Sequence, residues 1–182
     1  MNGLITRSIH PDVKGNDVDL ILYKGKILLV INVASKCGLT NSNYDELNEL
    51  YQKYKDQGLH FELVWLIPAL RFWHFRATSL VIRNREVTKR LKILSALGSN
   101  RSFPFFDKIE VNGDNTAPVY KFLKEGMWGF FGDDIQWNFT KFLVDKEGEA
   151  SHRYYPATPP LRIEPFDIHF PQRDIKTLLG IA

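Results

Sequence analysis

The chain carries one cysteine, Cys37, in the stretch Ser35-Lys36-Cys37-Gly38-Leu39. A lone cysteine reads either as a small buried hydrophobe or as a nucleophile. This one falls between an apolar run and the polar start of a helical pattern, where backbone N–H groups converge and the helix macrodipole favours an anion. A thiolate is stabilised in such a place, and the thiolate is the reactive form. Lys36 either adds to that field or points to solvent. With a single cysteine there is no intramolecular disulfide, no Cys-based zinc site and no CxxC redox pair. The second informative stretch runs from Gly132 to Phe142 and holds Trp137 and Asn138, an indole N–H donor and an amide that both donates and accepts. Beside Cys37 they can hydrogen-bond its sulfur and orient a small oxygen substrate. On the structural reading, Trp137 is core and Asn138 ends a turn.

The elements that must position these residues follow from periodicity. Val18–Tyr23, then Lys24-Gly25-Lys26, reads as a turn feeding a strand over the apolar run Ile27–Val33, which is rich in Ile, Leu and Val on both faces, as a central strand should be. A helix follows, its start marked by Thr40, Asn41 and Ser42 with Asp45 and Glu46 in the first turn, close to a capping box. Leu47, Leu50, Tyr51 and Tyr54 form its apolar face and Gly58 stops it. Leu59–Ile67 is a second strand, giving a βαβ unit with Cys37 at the carboxyl end of its first strand, where open α/β sheets put their sites. Further on, Asn115–Lys124 reads as a short helix with Thr116 as cap and Pro118 in its first turn. A strand from Phe142 enters a tight turn at Lys146–Gly148, and its return strand ends near Tyr155-Pro156. Arg173–Leu179 closes the chain as a helix. The expectation is an α/β fold with a central mixed β-sheet flanked by helices.

Length and composition set bounds. The 182 residues suit one domain, and 44% hydrophobic with 25% charged residues is the make-up of a soluble globular protein. Apolar runs such as Ile27–Ile31 are far short of the roughly 20 residues a membrane span needs, and the first residues carry neither a secretory nor a transit signal. A cytoplasmic protein without stable membrane insertion is expected. The net charge of +3 is uneven: residues 60–102 carry eight Lys/Arg against Glu62 and Glu86, a local +6, which leaves −3 for the rest. A basic helix there, with Val87, Leu91 and Leu94 on one face, reads as a solvated face before it reads as an anion-binding one, so no nucleic-acid partner is expected. The five histidines, His10, His60, His74, His152 and His169, lack metal-ligand spacing, and no glycine-rich phosphate loop occurs. No metal and no bound cofactor is expected.

The stretch Asn32-Val-Ala-Ser-Lys-Cys-Gly-Leu-Thr-Asn-Ser-Asn-Tyr44 resembles the active-cysteine motif of the glutathione peroxidase family, in its cysteine-containing, plant-type or phospholipid-hydroperoxide-like form, usually thioredoxin-dependent. Phe103–Gly113, Ala117–Lys124, Trp137–Gly148 and Arg153–Thr158 agree with it, so the resemblance covers about residues 16–59 and 103–162 and the last ten residues. It implies a single thioredoxin-like domain over 1–182, with Cys37 as the peroxidatic nucleophile and Trp137 and Asn138 as its hydrogen-bonding partners. The implied substrates are hydrogen peroxide and organic or lipid hydroperoxides, reduced through a cysteine sulfenic acid in defence against oxidative stress.

Two stretches depart from the family. Its usual F-P-C-N-Q-F-G, whose glutamine completes a catalytic tetrad, is replaced by Ile67-Pro-Ala-Leu-Arg-Phe-Trp73, which puts Arg71 in the glutamine's place. Residues 60–102 otherwise lack the family's pattern, and a small insertion is expected near 165–172. The family's resolving cysteine is absent, so the implied cycle needs an external thiol reductant, glutathione or thioredoxin. Two alternatives stay open. One is a thioredoxin-fold redox sensor or interaction protein deficient in turnover. The other is a copy of an ordinary two-cysteine thioredoxin-dependent enzyme, altered over residues 60–102 by a gene-model artefact.

Overall fold

A computed structural model of the chain describes residues 9–11, 17–34, 37–66, 105–130, 132–163 and 175–180. All belong to the unit built from Met1–Ile67 and Phe103–Ala182. The atypical stretch beyond residue 66, with Arg71, and the insertion near 165–172 lie outside the described residues, as does Lys36.

Two three-residue strands, β1 (Ile9–Pro11) and β2 (Asp17–Asp19), pair antiparallel. A 3-10 turn over Leu20–Tyr23 and the Lys24–Lys26 turn then lead into β3 (Ile27–Val33). Seven consecutive apolar and amide residues fully buried on both faces make β3 the centre of a five-stranded sheet ordered β5-β4-β3-β6-β7. Helix α1 (Thr40–Tyr54) connects β3 to the parallel β4 (Leu59–Leu66), and β5 (Phe105–Ile109) extends the parallel half. The antiparallel half is β6 (Lys141–Val144) against β3 and β7 (Ala150–Tyr154) against β6. Helix α2 (Pro118–Gly126), a 3-10 turn over Pro160–Ile163 and the short α3 (Ile175–Leu179) follow among the described elements.

Alternation along β3 feeds two cores. Ile27, Leu29, Ile31 and Val33 pack with Tyr44, Leu47, Leu50 and Tyr54 of α1, whereas Leu28 and Val30 pack with Val119, Tyr120 and Leu123 of α2. Each such side chain contributes about 1.5–3 kcal/mol on burial. A strand wedged between two helical layers cannot shift register without exposing one of them.

The expected βαβ unit, hairpin and mixed sheet are present, and residues 60–66 of the stretch expected to be atypical belong to β4, which pairs with β3 on one side and β5 on the other, with a register shift against β5 between Val64 and Trp65. Three boundaries differ. The residue before α1 is Leu39, which offers no side-chain cap, and Thr40 is already helical with its hydroxyl turned back to the preceding loop. Helix α2 starts at Pro118 rather than Asn115, because the Thr116 hydroxyl and N–H both bond the Gly113 carbonyl and close a turn there. At the other end of α1 the chain passes through a 3-10 turn before Gly58 ends it at φ 96°, a conformation that suits glycine.

Candidate active site

Cys37 lies past the carboxyl end of β3, three residues before α1 begins, half-buried and packed against the core on the α1 side. Its loop is stapled by Thr40. The Cys37 N–H donates to Thr40 Oγ1 at 3.1 Å, that hydroxyl donates to the Ala34 carbonyl at 3.1 Å, and the Thr40 N–H donates to the Cys37 carbonyl at 3.0 Å. The Cys37 amide is thus engaged by Thr40, and the hydroxyl expected to cap the helix instead fixes the cysteine's backbone.

Trp137 and Asn138 reach the same end of the sheet from the other direction, in the turn that enters β6. The residue that ties this turn to β3 is Asn32. Its Nδ2 donates to the Trp137 carbonyl at 3.0 Å, its carbonyl accepts the Phe139 N–H at 2.6 Å, and its N–H donates to the Thr140 carbonyl at 3.4 Å. Asn32 is fully buried, and its Oδ1 has no hydrogen-bond partner among the described residues. Thr140 Oγ1 adds a second donor to the Trp137 carbonyl at 3.2 Å. Phe139 closes the turn at φ 66°, in the left-handed region that costs a bulky residue about 1–3 kcal/mol. Its ring is fully buried and meets Tyr44 of α1 edge-on, with centroids 6.0 Å apart. Phe139 and Cys37 therefore share one core.

The structural reading of Trp137 as core does not hold: it is 52% exposed, and Asn138 is half-buried. The fold brings them to the Cys37 end of β3, while among the described residues no hydrogen bond joins Cys37 Sγ to either side chain. Catalytic hydrogen bonds are often long before substrate binds, so the relevant fact is the shared location.

A ring of further polar residues holds the loop before the turn. Asn112 Oδ1 accepts the Ile135 N–H at 2.8 Å and its Nδ2 donates to the Ile135 carbonyl at 2.9 Å. The Arg153 guanidinium donates to the Asp133 and Asp134 carbonyls at 3.1 and 2.7 Å and lies 5.4 Å from the Phe142 ring centroid. Burial lowers its pKa, while Tyr155, Asp133 and Asp134 favour the cation. A side chain at position 129 would collide with the Gly132 carbonyl and this guanidinium, so the close approach requires glycine. Lys141 is fully buried on the α1 side and donates to the Phe139 carbonyl at 2.8 Å and the Thr158 carbonyl at 2.9 Å. Desolvation lowers its pKa to about 8, against the opposing pull of Glu46.

Sequence reasoning singled out Cys37, Trp137 and Asn138 but not Asn32, Thr40, Asn112, Lys141 or Arg153. The available signal was an amide and a lysine inside strands otherwise apolar on both faces. Among the described residues, no group of three or more His, Cys, Asp or Glu side chains is arranged to hold a metal ion.

Comparison with known proteins extends the geometry. The family model for glutathione peroxidase matches residues 6–124. A probable phospholipid hydroperoxide glutathione peroxidase from Nicotiana sylvestris is 51% identical over 171 residues, which span 94% of this chain and 90% of the relative. The crystal structure of T. cruzi GPX1 superposes with a TM-score of 0.68 at 31% identity, covering 96% of this chain and 95% of that one. A thioredoxin-family thiol:disulfide interchange protein from Chlorobium tepidum matches with a TM-score of 0.54 at 15% identity, over 85% of this chain and 86% of its own. That likeness concerns the fold alone, and the fold is thioredoxin-like.

Proposed function

Because this chain belongs to the glutathione peroxidase family, whose members are oxidoreductases that reduce hydroperoxides with a thiol, we propose that Cys37 is its peroxidatic nucleophile and that Trp137 and Asn138 serve it as hydrogen-bonding partners. The observation that carries this reading is Asn32, which binds the Trp137–Phe139 turn to the end of β3 that leads to Cys37.

The Cys37 thiolate attacks one oxygen of the hydroperoxide. The O–O bond breaks, the departing oxygen takes a proton and leaves as water or an alcohol, and the sulfur is left as a sulfenic acid. The indole N–H and the amide stabilise charge on the sulfur and on the leaving oxygen. The half-exposed indole offers apolar surface at the Cys37 end of β3, which supports organic and lipid hydroperoxides as substrates along with hydrogen peroxide. Cys37 is the single cysteine in the sequence, so return to the thiol consumes two external thiols. The first condenses with the sulfenic acid, forming a mixed disulfide and releasing water, and the second attacks that disulfide, releasing the Cys37 thiolate and a disulfide of the two external thiols. Glutathione or thioredoxin fills this role, with no bound cofactor. A free thiol fits a reducing compartment, and we place the protein in the cytoplasm, in defence against oxidative stress.

The test is steady-state consumption of hydrogen peroxide and of a lipid hydroperoxide with glutathione or with thioredoxin and its reductase. Many turnovers per chain with at least one reductant, lost in Cys37→Ser, are expected. One oxidation event per chain with either reductant would replace the peroxidase reading by that of a redox sensor.

A further inference from the structure

We propose that Lys141 is a positioning residue for the peroxide reaction: its buried ammonium, bonded to the carbonyls of Phe139 and Thr158, clamps the Trp137–Asn138 turn to the end of β3 that leads to Cys37. The inference rests on the reading of Cys37 as the peroxidatic thiol.

Lys141 is the first residue of β6 and stands opposite Ile31 of β3 and Tyr154 of β7. Directly opposed residues share a face of the sheet, and Ile31 and Tyr154 belong to the core on the α1 side. The lysine therefore enters that core, where it is fully buried. An ammonium is costly there unless its donors are satisfied, and leucine would fill the space without that cost. Its two carbonyl partners come from separate segments, one directly after Asn138 and the other in the loop beyond β7. Glu46 of α1 is the charged group whose field reaches the ammonium, and its own Oε2 accepts the Leu161 N–H at 3.1 Å. Among the described residues, the other titratable side chains on that side are Tyr154 and His152 of β7, Tyr44, Tyr51 and Tyr54 of α1, and Cys37, while Arg162 of the 3-10 turn over Pro160–Ile163 is exposed. The lysine thus joins the turn to the loop beyond β7, in the field of a carboxylate from the helix that follows Cys37.

Phe139 makes the clamp consequential. A bulky residue stays at positive φ only where its surroundings over-determine it, and three anchors do so here. They are its N–H on Asn32, its ring on Tyr44 and its carbonyl on Lys141. When the ammonium becomes a neutral amine, the charge-assisted anchor is lost and the turn relaxes toward ordinary φ, which rotates Trp137 and Asn138 away from the thiol. Because burial brings the lysine pKa down to about 8, pH alone can remove that charge.

The experiment is single-turnover oxidation of Cys37 by hydrogen peroxide from about pH 6 to about pH 10, expressed per thiolate, with the thiolate fraction read by ultraviolet absorbance and the fold by circular dichroism. In the native chain the rate per thiolate should fall about tenfold as pH rises through about 8, with the fold intact. Lys141→Arg, which stays charged, should keep the neutral-pH rate within about twofold and lose the fall. Lys141→Met should be about tenfold slower at neutral pH, without a further fall. A native rate per thiolate that stays flat above pH 8, or a fall that persists in Lys141→Arg, would overturn the proposal while leaving Cys37 as nucleophile. The native profile decides even if a variant does not fold. A native rate no faster than that of a free thiol would overturn both readings.

Discussion

The strands β3 and β6 pair antiparallel, and their shared ladder ends in two different ways. At the end where Leu28 faces Val144, the chain reverses through Asp145–Glu149. Asp145 Oδ1 accepts the N–H groups of Glu147 and Glu149 at 3.1 and 2.9 Å, and the left-handed position is given to Gly148 at φ 84°. At the end nearest Cys37, where Ile31 faces Lys141, the left-handed position is held by a buried phenylalanine instead. An amide and an ammonium, both fully buried, support it. A reversal that only has to turn the chain uses glycine. A reversal that also ties the backbone of Trp137 and Phe139 to β3 tolerates a strained backbone and stabilises it with buried polar groups.

Three perturbations sharpen that contrast. Phe139→Ala has the largest expected effect on stability, because it removes a fully buried ring and its contact with Tyr44 while leaving the backbone strained. Chemical denaturation should show a loss of about 3–5 kcal/mol, with slower oxidation of Cys37. The pH dependence of stability comes next. The native state holds Lys141 at a pKa of about 8 against an ordinary 10.5, so between these values the unfolded chain binds more protons than the folded one. Stability therefore rises with pH across that window, and below about pH 8 the cost of the buried charge is fully present. The gain is at most about 3 kcal/mol. Lys141→Met should remove it from the difference in unfolding free energy between the two proteins. Activity per thiolate and stability then move in opposite directions over one pH range, which a purely structural lysine would not produce. Gly148→Ala is the smallest: about 1–2 kcal/mol of stability lost, with no change in the rate of Cys37 oxidation. A comparable loss of that rate from Gly148→Ala would mean that the two ends of the ladder do not differ in kind.

What was legible in the sequence follows from how each element is stabilised. The Ile27–Val33 run, the face of Leu47, Leu50 and Tyr54, and the turn at Lys146–Gly148 are local patterns, and each appears where periodicity puts it. Cys37, Trp137 and Asn138 were legible through the motifs around them. Lys141 was not, because reading a strand by alternation assigns its charged residue to solvent, and β6 is covered on both faces. Asn32 and Thr40 were missed for a related reason: their partners, the Trp137 carbonyl and the Ala34 carbonyl, are chosen by tertiary geometry or loop shape, which no short-range pattern encodes. The start of α2 shifted because a threonine hydroxyl found a carbonyl three residues back rather than a helix N–H.

The assignment of Cys37 is best tested by the intact mass of the purified chain after stoichiometric hydrogen peroxide near pH 7, with and without a sulfenic-acid trap. Rapid trapping on Cys37, absent in Cys37→Ser and far faster than for a free thiol, is the expected result. Oxidation no faster than that of a free cysteine would contradict it, and family membership would then describe this chain's ancestry without its chemistry.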